Sequence, residues 1–234
     1  MENSSKNVII TGANRGIGYE LTKQFAAAGY HVLAATRKPL QAVKLNELAD
    51  KNENNITIYK LDVTSKLSVD NFGKTLADTP IEILINNAGI LDTYESSIDD
   101  INLVDFAEVL VTNTISPIRV MRAAMRGLRL GNTKKIVNLS SFMGSFEGQS
   151  NGAHAYRTSK TALNRAMQIF GRELAEEGFI IMNLHPGWVK TDMGTEAADI
   201  DVVTSVNGLL NIIETTKLED ANQIIGYDGT TMSY

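Results

Sequence analysis

Six short runs of apolar, largely β-branched residues alternate with segments of helical periodicity, and this alternation most limits what the chain can fold into. The runs are NVIIT (7–11), HVLAAT (31–36), ITIYKL (56–61), IEILIN (81–86), KIVNLS (135–140) and FIIMNL (179–184). Continuous apolar strands separated by helices are typical of a parallel sheet that is buried on both faces. The pattern therefore predicts the α/β class, with a doubly wound parallel sheet in a three-layer αβα Rossmann fold.

The intervening segments carry the signals expected of helix ends. Ser65 is a plausible N-cap for a helix over 65–78, and Gly29 suits the position just past the end of the first helix. Further helices are predicted over 154–177 and 202–216, and a last short strand within 222–230. Because no linker, repeat or low-complexity tract interrupts this pattern, we expect one domain over residues 1–234.

The composition excludes several classes of function. The net charge is −5 and no basic block is present, so neither a nucleic-acid surface nor an anionic membrane surface is indicated. The chain has no cysteine, and its three histidines, His31, His154 and His185, are far apart in sequence, so we expect no metal site. The start, MENSSKNVII, resembles neither a signal peptide nor a membrane span, and we therefore expect a cytoplasmic protein.

A glycine-rich segment, TGANRGIG (11–18), directly follows the first predicted strand and opens the first predicted helix. Glycines at 12, 16 and 18 allow a tight turn and a close approach of the backbone to a diphosphate, which the helix N-terminus attracts. The spacing is G-x-x-x-G-x-G rather than G-x-G-x-x-G. Its strand–turn–helix context favours a dinucleotide site over a purely structural turn.

The second strand ends in Thr36, Arg37 and Lys38, without the acid that binds a ribose 2′-hydroxyl in NAD-preferring folds of this type. Arg37 can instead bind a 2′-phosphate through two parallel hydrogen bonds, and Arg15 adds a second cation on the same side. This predicts NADPH or NADP in preference to NADH, unless Arg37 and Lys38 are merely solvated. Asp62, at the end of the third strand, would face the adenine amino group or cap a helix.

Tyr156 and Lys160 are four positions apart in a run that is predicted to be helical, so their side chains are neighbours on one face. A cation beside a phenol favours tyrosinate and lowers the pKa of the tyrosine toward the range of a general acid or base. The spacing alone is weak evidence, because Tyr19 and Lys23 have the same relation.

Together with further motifs, these features resemble the short-chain dehydrogenase/reductase family over nearly the whole chain. The resemblance is closest to the small carbonyl reductases of the Sniffer and C-factor-like branch. The motifs are TGANRGIG (11–18), LDVT (61–64), NNAG (86–89), Asn113 in VTNTISP, NLSS (138–141), YRTSK (156–160) and HPGWVKTDM (185–193).

The resemblance assigns catalytic roles to four residues. It implies that Tyr156 is the catalytic acid and that Lys160 lowers its pKa and binds the nicotinamide ribose. Ser141 would bind the substrate carbonyl, with Ser140 as the rival, and Asn113 would hold a water in the proton relay. The separation of Ser141 from Tyr156 is two residues longer than the family's thirteen, which leaves the serine assignment open. The cofactor residues implied are Gly12, Asn14, Arg15, Gly16, Ile17, Gly18, Thr36, Arg37, Asp62, Val63, Asn87, Ala88, Gly89, Tyr156, Lys160, Pro186, Gly187, Val189 and Thr191.

The expected activity is reduction of an aldehyde or ketone by hydride from NADPH. An NAD-linked alcohol dehydrogenase and a non-catalytic cofactor-binding sensor are the alternatives. Family analogy favours a dimer over a tetramer, formed by helices within 100–129 and 154–177. The expected substrate is fairly hydrophobic, because the candidate pocket residues are Leu91, Phe142, Met143, Phe146, His154, Trp188 and Met193.

Overall fold

The strands form one eight-stranded sheet within the residues that the computed structural model describes, which are 6–52, 55–92, 97–147 and 151–233. The strands are β1 (Asn7–Thr11), β2 (His31–Thr36), β3 (Ile56–Lys60), β4 (Ile83–Asn86), β5 (Lys135–Leu139), β6 (Ile180–His185), β7 (Ile224–Gly226) and β8 (Thr231–Met232). Their order across the sheet is β3-β2-β1-β4-β5-β6-β7-β8.

Strands β1 to β7 are parallel, and the order of strands reverses direction between β1 and β4. The doubly wound parallel sheet is thereby confirmed, and the reversal marks the edge where such folds bind ligands. One element differs from the prediction. The two-residue strand β8 returns antiparallel to β7 through a tight turn at Gly229, whose φ is +86°.

Helices cover both faces of the sheet. They are α1 (Gly16–Ala27), α2 (Val43–Asp50), α3 (Lys66–Thr75), α4 (Leu103–Leu110), α5 (Ser116–Leu130), α6 (His154–Leu174) and α7 (Val202–Thr215). Helices α1, α2 and α7 contribute to one hydrophobic core, and α3, α5 and α6 contribute to the other. In β1, Val8 and Ile10 point into the first core and Ile9 into the second, as the alternation of side chains along a strand requires.

Two predicted helix ends are confirmed, namely the start of α3 and the end of α1. The Ser65 side chain accepts a hydrogen bond from the Ser68 N–H and caps α3, and Gly29 follows α1 with φ +83°. The helical region predicted within 100–129 contains a π-helical turn, Val111–Ile115, between α4 and α5. Such turns are frequent at functional sites because they displace the side chains of one helical turn.

None of the helices in the described ranges is both long and apolar enough to cross a membrane.

Candidate active site

The loop between β1 and α1 is built for close contact with a ligand. Gly12 and Gly16 have φ values of +68° and +53°, a region that L-residues with side chains rarely adopt. A Cβ on Gly18 would lie 2.3 Å from the Gly12 carbonyl oxygen. Helix α1 starts without a side-chain cap and without an acidic residue in its first turn. Its first N–H groups are therefore available to an anion such as a diphosphate.

The loop after β4 is bonded directly to this glycine loop. The Asn87 amide donates to the carbonyl oxygens of Thr11 at 2.8 Å and Gly12 at 3.2 Å. In return, the Thr11 hydroxyl accepts from the main-chain N–H groups of Asn87 and Ala88, both at 3.0 Å. The two loops at the point where the strand order reverses thus hold each other in place.

Between these loops lies a cleft with a volume of about 310 Å³. The predicted cofactor residues that line it are Gly12, Asn14, Arg15, Gly16, Ile17, Arg37, Asp62, Val63, Asn87, Ala88, Gly89, Tyr156, Lys160, Pro186 and Thr191. Four further predicted residues do not line it, namely Gly18, Thr36, Gly187 and Val189. Three of these are buried, and Gly187 packs against Ile200 and Tyr227.

Several lining residues were not singled out from the sequence: Leu61, Thr64, Ile90, Glu108, Thr112, Leu139 and Asp192. Glu108 comes from α4 and belongs to none of the motifs. Leu61, Thr64 and Thr112 lie within the motifs LDVT and VTNTISP, and Ile90 follows NNAG, so their position beside the cleft could have been predicted from the sequence.

One of the cations near the cleft forms an ion pair that was not predicted. Arg15, which lines the same cleft as Arg37, also bonds the Asp192 carboxylate at 2.5 Å through its guanidinium, and the side chains of Arg15 and Asp192 are exposed. The ion pair joins the glycine loop to the loop after β6. Arg37 is exposed and lines the cleft. Burial acts to raise the pKa of Asp62, but hydrogen bonds from Thr64 and the charge of Arg37 outweigh it and hold that pKa below its usual value.

Lys160 projects from α6 into the buried end of the cleft. Its ammonium donates to the Leu139 carbonyl oxygen at 2.6 Å and lies 5.5 Å from the centre of the Tyr156 ring. The residue is only 5% exposed, and burial lowers the pKa of Lys160 from 10.5 to about 8. The amine thus remains mostly protonated at pH 7 and sits within reach of the phenol.

The pKa of Tyr156 is shifted in the direction opposite to that expected from a neighbouring cation. Burial raises this pKa, a side-chain hydrogen bond with Ser141 opposes the effect, and the Asp92 carboxylate raises it further. A buried phenol loses the hydration of its anionic form, and this loss outweighs the spacing argument. The side chain is therefore a protonated phenol at neutral pH, as a proton donor must be.

The two candidate serines occupy different environments. Ser141 forms the hydrogen bond with the Tyr156 side chain, and its hydroxyl oxygen also accepts from the Met143 N–H. Ser140 lines the cleft and donates to the buried Asn164 side chain at 2.6 Å. The two extra residues before Tyr156 do not separate it from Ser141. Part of the segment between Ser141 and Tyr156, residues 148–150, lies outside the described residues.

Asn113 is fully buried in the π-helical turn and bonds the loop after β4. Its amide nitrogen donates to the Ile90 carbonyl at 2.8 Å and to the Ser159 hydroxyl at 3.1 Å, and its oxygen accepts from the Ile90 N–H at 2.9 Å. A Cβ on Gly89 would lie 3.2 Å from the Asn113 oxygen and 3.8 Å from the Lys160 nitrogen. The two polar groups therefore approach one another behind Gly89.

The loop after β5 is anchored by the end of the described chain. The Ser145 hydroxyl donates to the Ser233 carbonyl at 2.6 Å, and the Glu147 carboxylate accepts from the Ser233 N–H at 2.8 Å. This support was not predicted, since the pairing residues are 86 and 88 positions apart. Among the seven candidate pocket residues, only Met193 lines the cleft itself. Phe142, Phe146 and Trp188 are exposed, and Phe142 faces the His185 ring at 6.4 Å.

No group of three or more histidine, aspartate or glutamate side chains within the described ranges is arranged to hold a metal ion. His185 lies at the end of β6, and burial lowers its pKa to about 4, so this imidazole is neutral at pH 7.

Comparisons with known proteins agree with this geometry. A family model described as short chain dehydrogenase matches residues 6–201. C-signal of Myxococcus xanthus is 36% identical over 164 residues, which cover 70% of this chain and 98% of that protein. The structure of the carbonyl reductase Sniffer of D. melanogaster is 32% identical, with a TM-score of 0.90 over 98% of this chain and 100% of that chain. An NADPH-bound carbonyl reductase from chicken fatty liver is 33% identical, with a TM-score of 0.89 over 98% and 99%.

Proposed function

The chain belongs to the short-chain dehydrogenase family, and on that premise we propose that it reduces an aldehyde or ketone to an alcohol with NADPH. The similarity to Sniffer and to C-signal confirms the branch that the motifs predicted. The observation that carries the proposal is that Tyr156, hydrogen-bonded to Ser141, and Lys160 line the same cleft as the glycine loop.

The residues of the cleft fit a dinucleotide. The start of α1 has no side-chain cap, and Gly18 has no Cβ that would meet the Gly12 carbonyl oxygen. The N–H groups of this turn are therefore available to bind the diphosphate. Arg37 would bind the 2′-phosphate and Asp62 the adenine amino group. The adenosine side would be lined by Asn87, Ala88 and Gly89, and the nicotinamide side by Pro186 and Thr191. Bound NADPH supplies the hydride.

The side chains of the protein handle the proton and the developing charge. Ser141 and Tyr156 donate hydrogen bonds to the substrate oxygen, which orients the carbonyl and stabilises negative charge on it. Tyr156 then transfers its proton, and the nearby Lys160 ammonium stabilises the tyrosinate that remains. Both N–H groups of the Asn113 side chain already donate hydrogen bonds within the protein. The free lone pair of its side-chain oxygen is therefore the acceptor available to a water of the proton relay.

The preference for NADPH over NADH rests on Arg37, which lines the cleft beside Asp62, while the adjacent Lys38 does not. The matched variants are therefore Arg37→Ala and Lys38→Ala. We expect Arg37→Ala to raise the KM for NADPH about tenfold or more, with little change for NADH. Lys38→Ala should change the KM for either cofactor much less. Equal KM values for the two cofactors in the wild type would contradict the preference and favour the NAD-linked alcohol dehydrogenase.

The experiment that tests the activity follows the oxidation of NADPH and NADH, side by side, by the purified protein. The substrates are small aldehydes, ketones and diketones, including hydrophobic members to match the exposed Phe142, Phe146 and Trp188. Turnover with NADPH would support the reductase. Tight NADPH binding without turnover of any member would favour the sensor or signalling function, for which the similarity to C-signal is the supporting observation.

Apolar side chains exposed on α4 and α6 support a dimer. Leu103 and Val104 are 75% and 76% exposed, and Ile169 on α6 is 41% exposed. These helices lie within the segments named from the sequence. We expect light scattering at micromolar concentration to give the mass of a dimer, and Val104→Glu to give monomers. A monomeric wild type would contradict the proposal. The cytoplasmic location stays a prediction from the sequence.

A further inference from the structure

Helix α6, which carries Tyr156, begins without a cap of its own. The residue before it, Ala153, adopts a left-handed conformation with φ +49° and has no side chain that could accept a hydrogen bond. The first N–H groups of a helix have no partner within the helix and carry the positive end of its dipole. Tyr156 is the third residue of α6, so this uncapped end lies directly at the phenol-bearing residue.

Asp92 supplies the missing cap from another part of the chain. One carboxylate oxygen accepts from the Ala155 N–H at 3.0 Å and the other accepts from the Tyr156 N–H at 3.2 Å. Asp92 ends the described part of the loop after β4, whose residues Asn87 and Ile90 bond the glycine loop and Asn113. One loop therefore joins the cofactor cradle, the π-helical turn and the start of α6.

We propose that Asp92 is a positioning residue for Tyr156, which fixes the first turn of α6 and places a negative charge at the positive end of its dipole. The proposal concerns the same site as the proposed reductase and rests on that function for its catalytic consequence. Its physical basis is the pair of hydrogen bonds to the backbone that bears the phenol. It assigns no contact between Asp92 and substrate.

The effect of Asp92 on the ionisation of Tyr156 follows from the signs of the charges around the phenol. The carboxylate of Asp92 disfavours tyrosinate, as does burial, whereas the Ser141 hydrogen bond favours it. The other charged or titratable groups nearby are Lys160 and Arg157 on the same helix, His154 at its start, and Glu108 and Asp192 on the walls of the cleft. The Arg157 side chain donates to the Gly152 carbonyl at 2.9 Å.

The test compares Asp92→Asn with Asp201→Asn. Asp201 caps α7 by accepting from the Thr204 N–H at 2.7 Å, so the control removes the same charge from a helix N-cap that carries no tyrosine. The first readout is the ionisation of Tyr156 in the protein without cofactor, followed by NMR of ¹³C-labelled tyrosine and assigned with Tyr156→Phe. The second is the alkaline limb of the pH profile of kcat/KM for NADPH-dependent carbonyl reduction.

We expect Asp92→Asn to move the ionisation of Tyr156 and the alkaline limb to lower pH by about half a pH unit or more. Asp201→Asn should move neither. Asp92→Ser, which keeps a neutral capping oxygen, should give the same shift and replaces Asp92→Asn if that variant does not fold. An unchanged ionisation of Tyr156 in the Asp92 variant, or an equal shift in the control, would overturn the proposal. Absence of turnover in the wild type would refute the reductase but leave the NMR result to decide the role of Asp92.

Discussion

The buried ammonium of Lys160 should make the protein less stable at neutral pH than it would be without that charge. The fall of the Lys160 pKa from 10.5 to about 8 corresponds to a cost of about 3 kcal/mol for keeping the amine protonated in the folded state. The hydrogen bond to the Leu139 carbonyl offsets part of this cost. Methionine has a similar volume and no charge, so Lys160→Met removes the cost together with a hydrogen bond of about 1.5–3 kcal/mol.

The sign of the pH dependence follows from proton binding. Between pH 8 and 10.5 the unfolded chain binds the Lys160 proton more strongly than the folded one, so the wild type becomes more stable as the pH rises through this window. Lys160→Met lacks this gain. We expect the variant to be at least as stable as the wild type at pH 7, and the wild type to gain about 2 kcal/mol on it by pH 9.5.

Urea unfolding of both proteins without cofactor, at pH 7 and pH 9.5, measures this difference. Groups remote from Lys160 titrate equally in the two proteins, so their effects cancel in the comparison, and the raised pKa of Tyr156 keeps the neighbouring phenol mostly protonated at both pH values. Lys44→Met, which removes an ammonium that is exposed on α2, is the matched control for the loss of a lysine charge. A constant difference between Lys160→Met and the wild type, or a variant that is clearly less stable than the wild type at pH 7, would contradict this expectation.

Further predictions concern the serines and the glycine loop. Ser141→Ala should lower turnover about 100-fold while NADPH affinity, measured by fluorescence titration, is kept; Ser140→Ala should instead cost about 1–3 kcal/mol of stability in urea, because Asn164 loses its partner. Gly18→Ala should abolish NADPH binding, because the new Cβ would lie 2.3 Å from a main-chain oxygen. Gly29→Ala, where nothing lies within 4 Å, should cost about 1 kcal/mol through its positive φ and leave binding intact. Retained NADPH affinity in Gly18→Ala would show that the loop can open to accept a side chain.

The sequence was sufficient for features that depend on local pattern. The parallel strands follow from continuous apolar runs, and the cap at Ser65 follows from residues three positions apart. The glycine loop was predictable because its strand and helix adjoin it directly. The edge strand β8 was not, since two residues carry no periodicity.

Contacts between residues far apart in sequence could not be predicted from the sequence. The Arg15 ion pair joins residues 177 positions apart, and Asp92 caps a helix 63 positions away. The spacing of Tyr156 and Lys160 predicted that they are neighbours but gave no measure of burial, which decides the direction of both pKa shifts. The different hydrogen-bond partners of Ser140 and Ser141 also required the fold, because the two hydroxyls are adjacent in sequence.

The central claim is that the Tyr156 phenol delivers the proton in a reduction that uses NADPH. The most direct measurement compares wild type and Tyr156→Phe in single turnovers with the best carbonyl substrate, beside a titration of NADPH binding. We expect the variant to bind NADPH with an affinity close to that of the wild type and to react about 100- to 10,000-fold more slowly. A variant that binds NADPH and reacts at the wild-type rate would contradict the account.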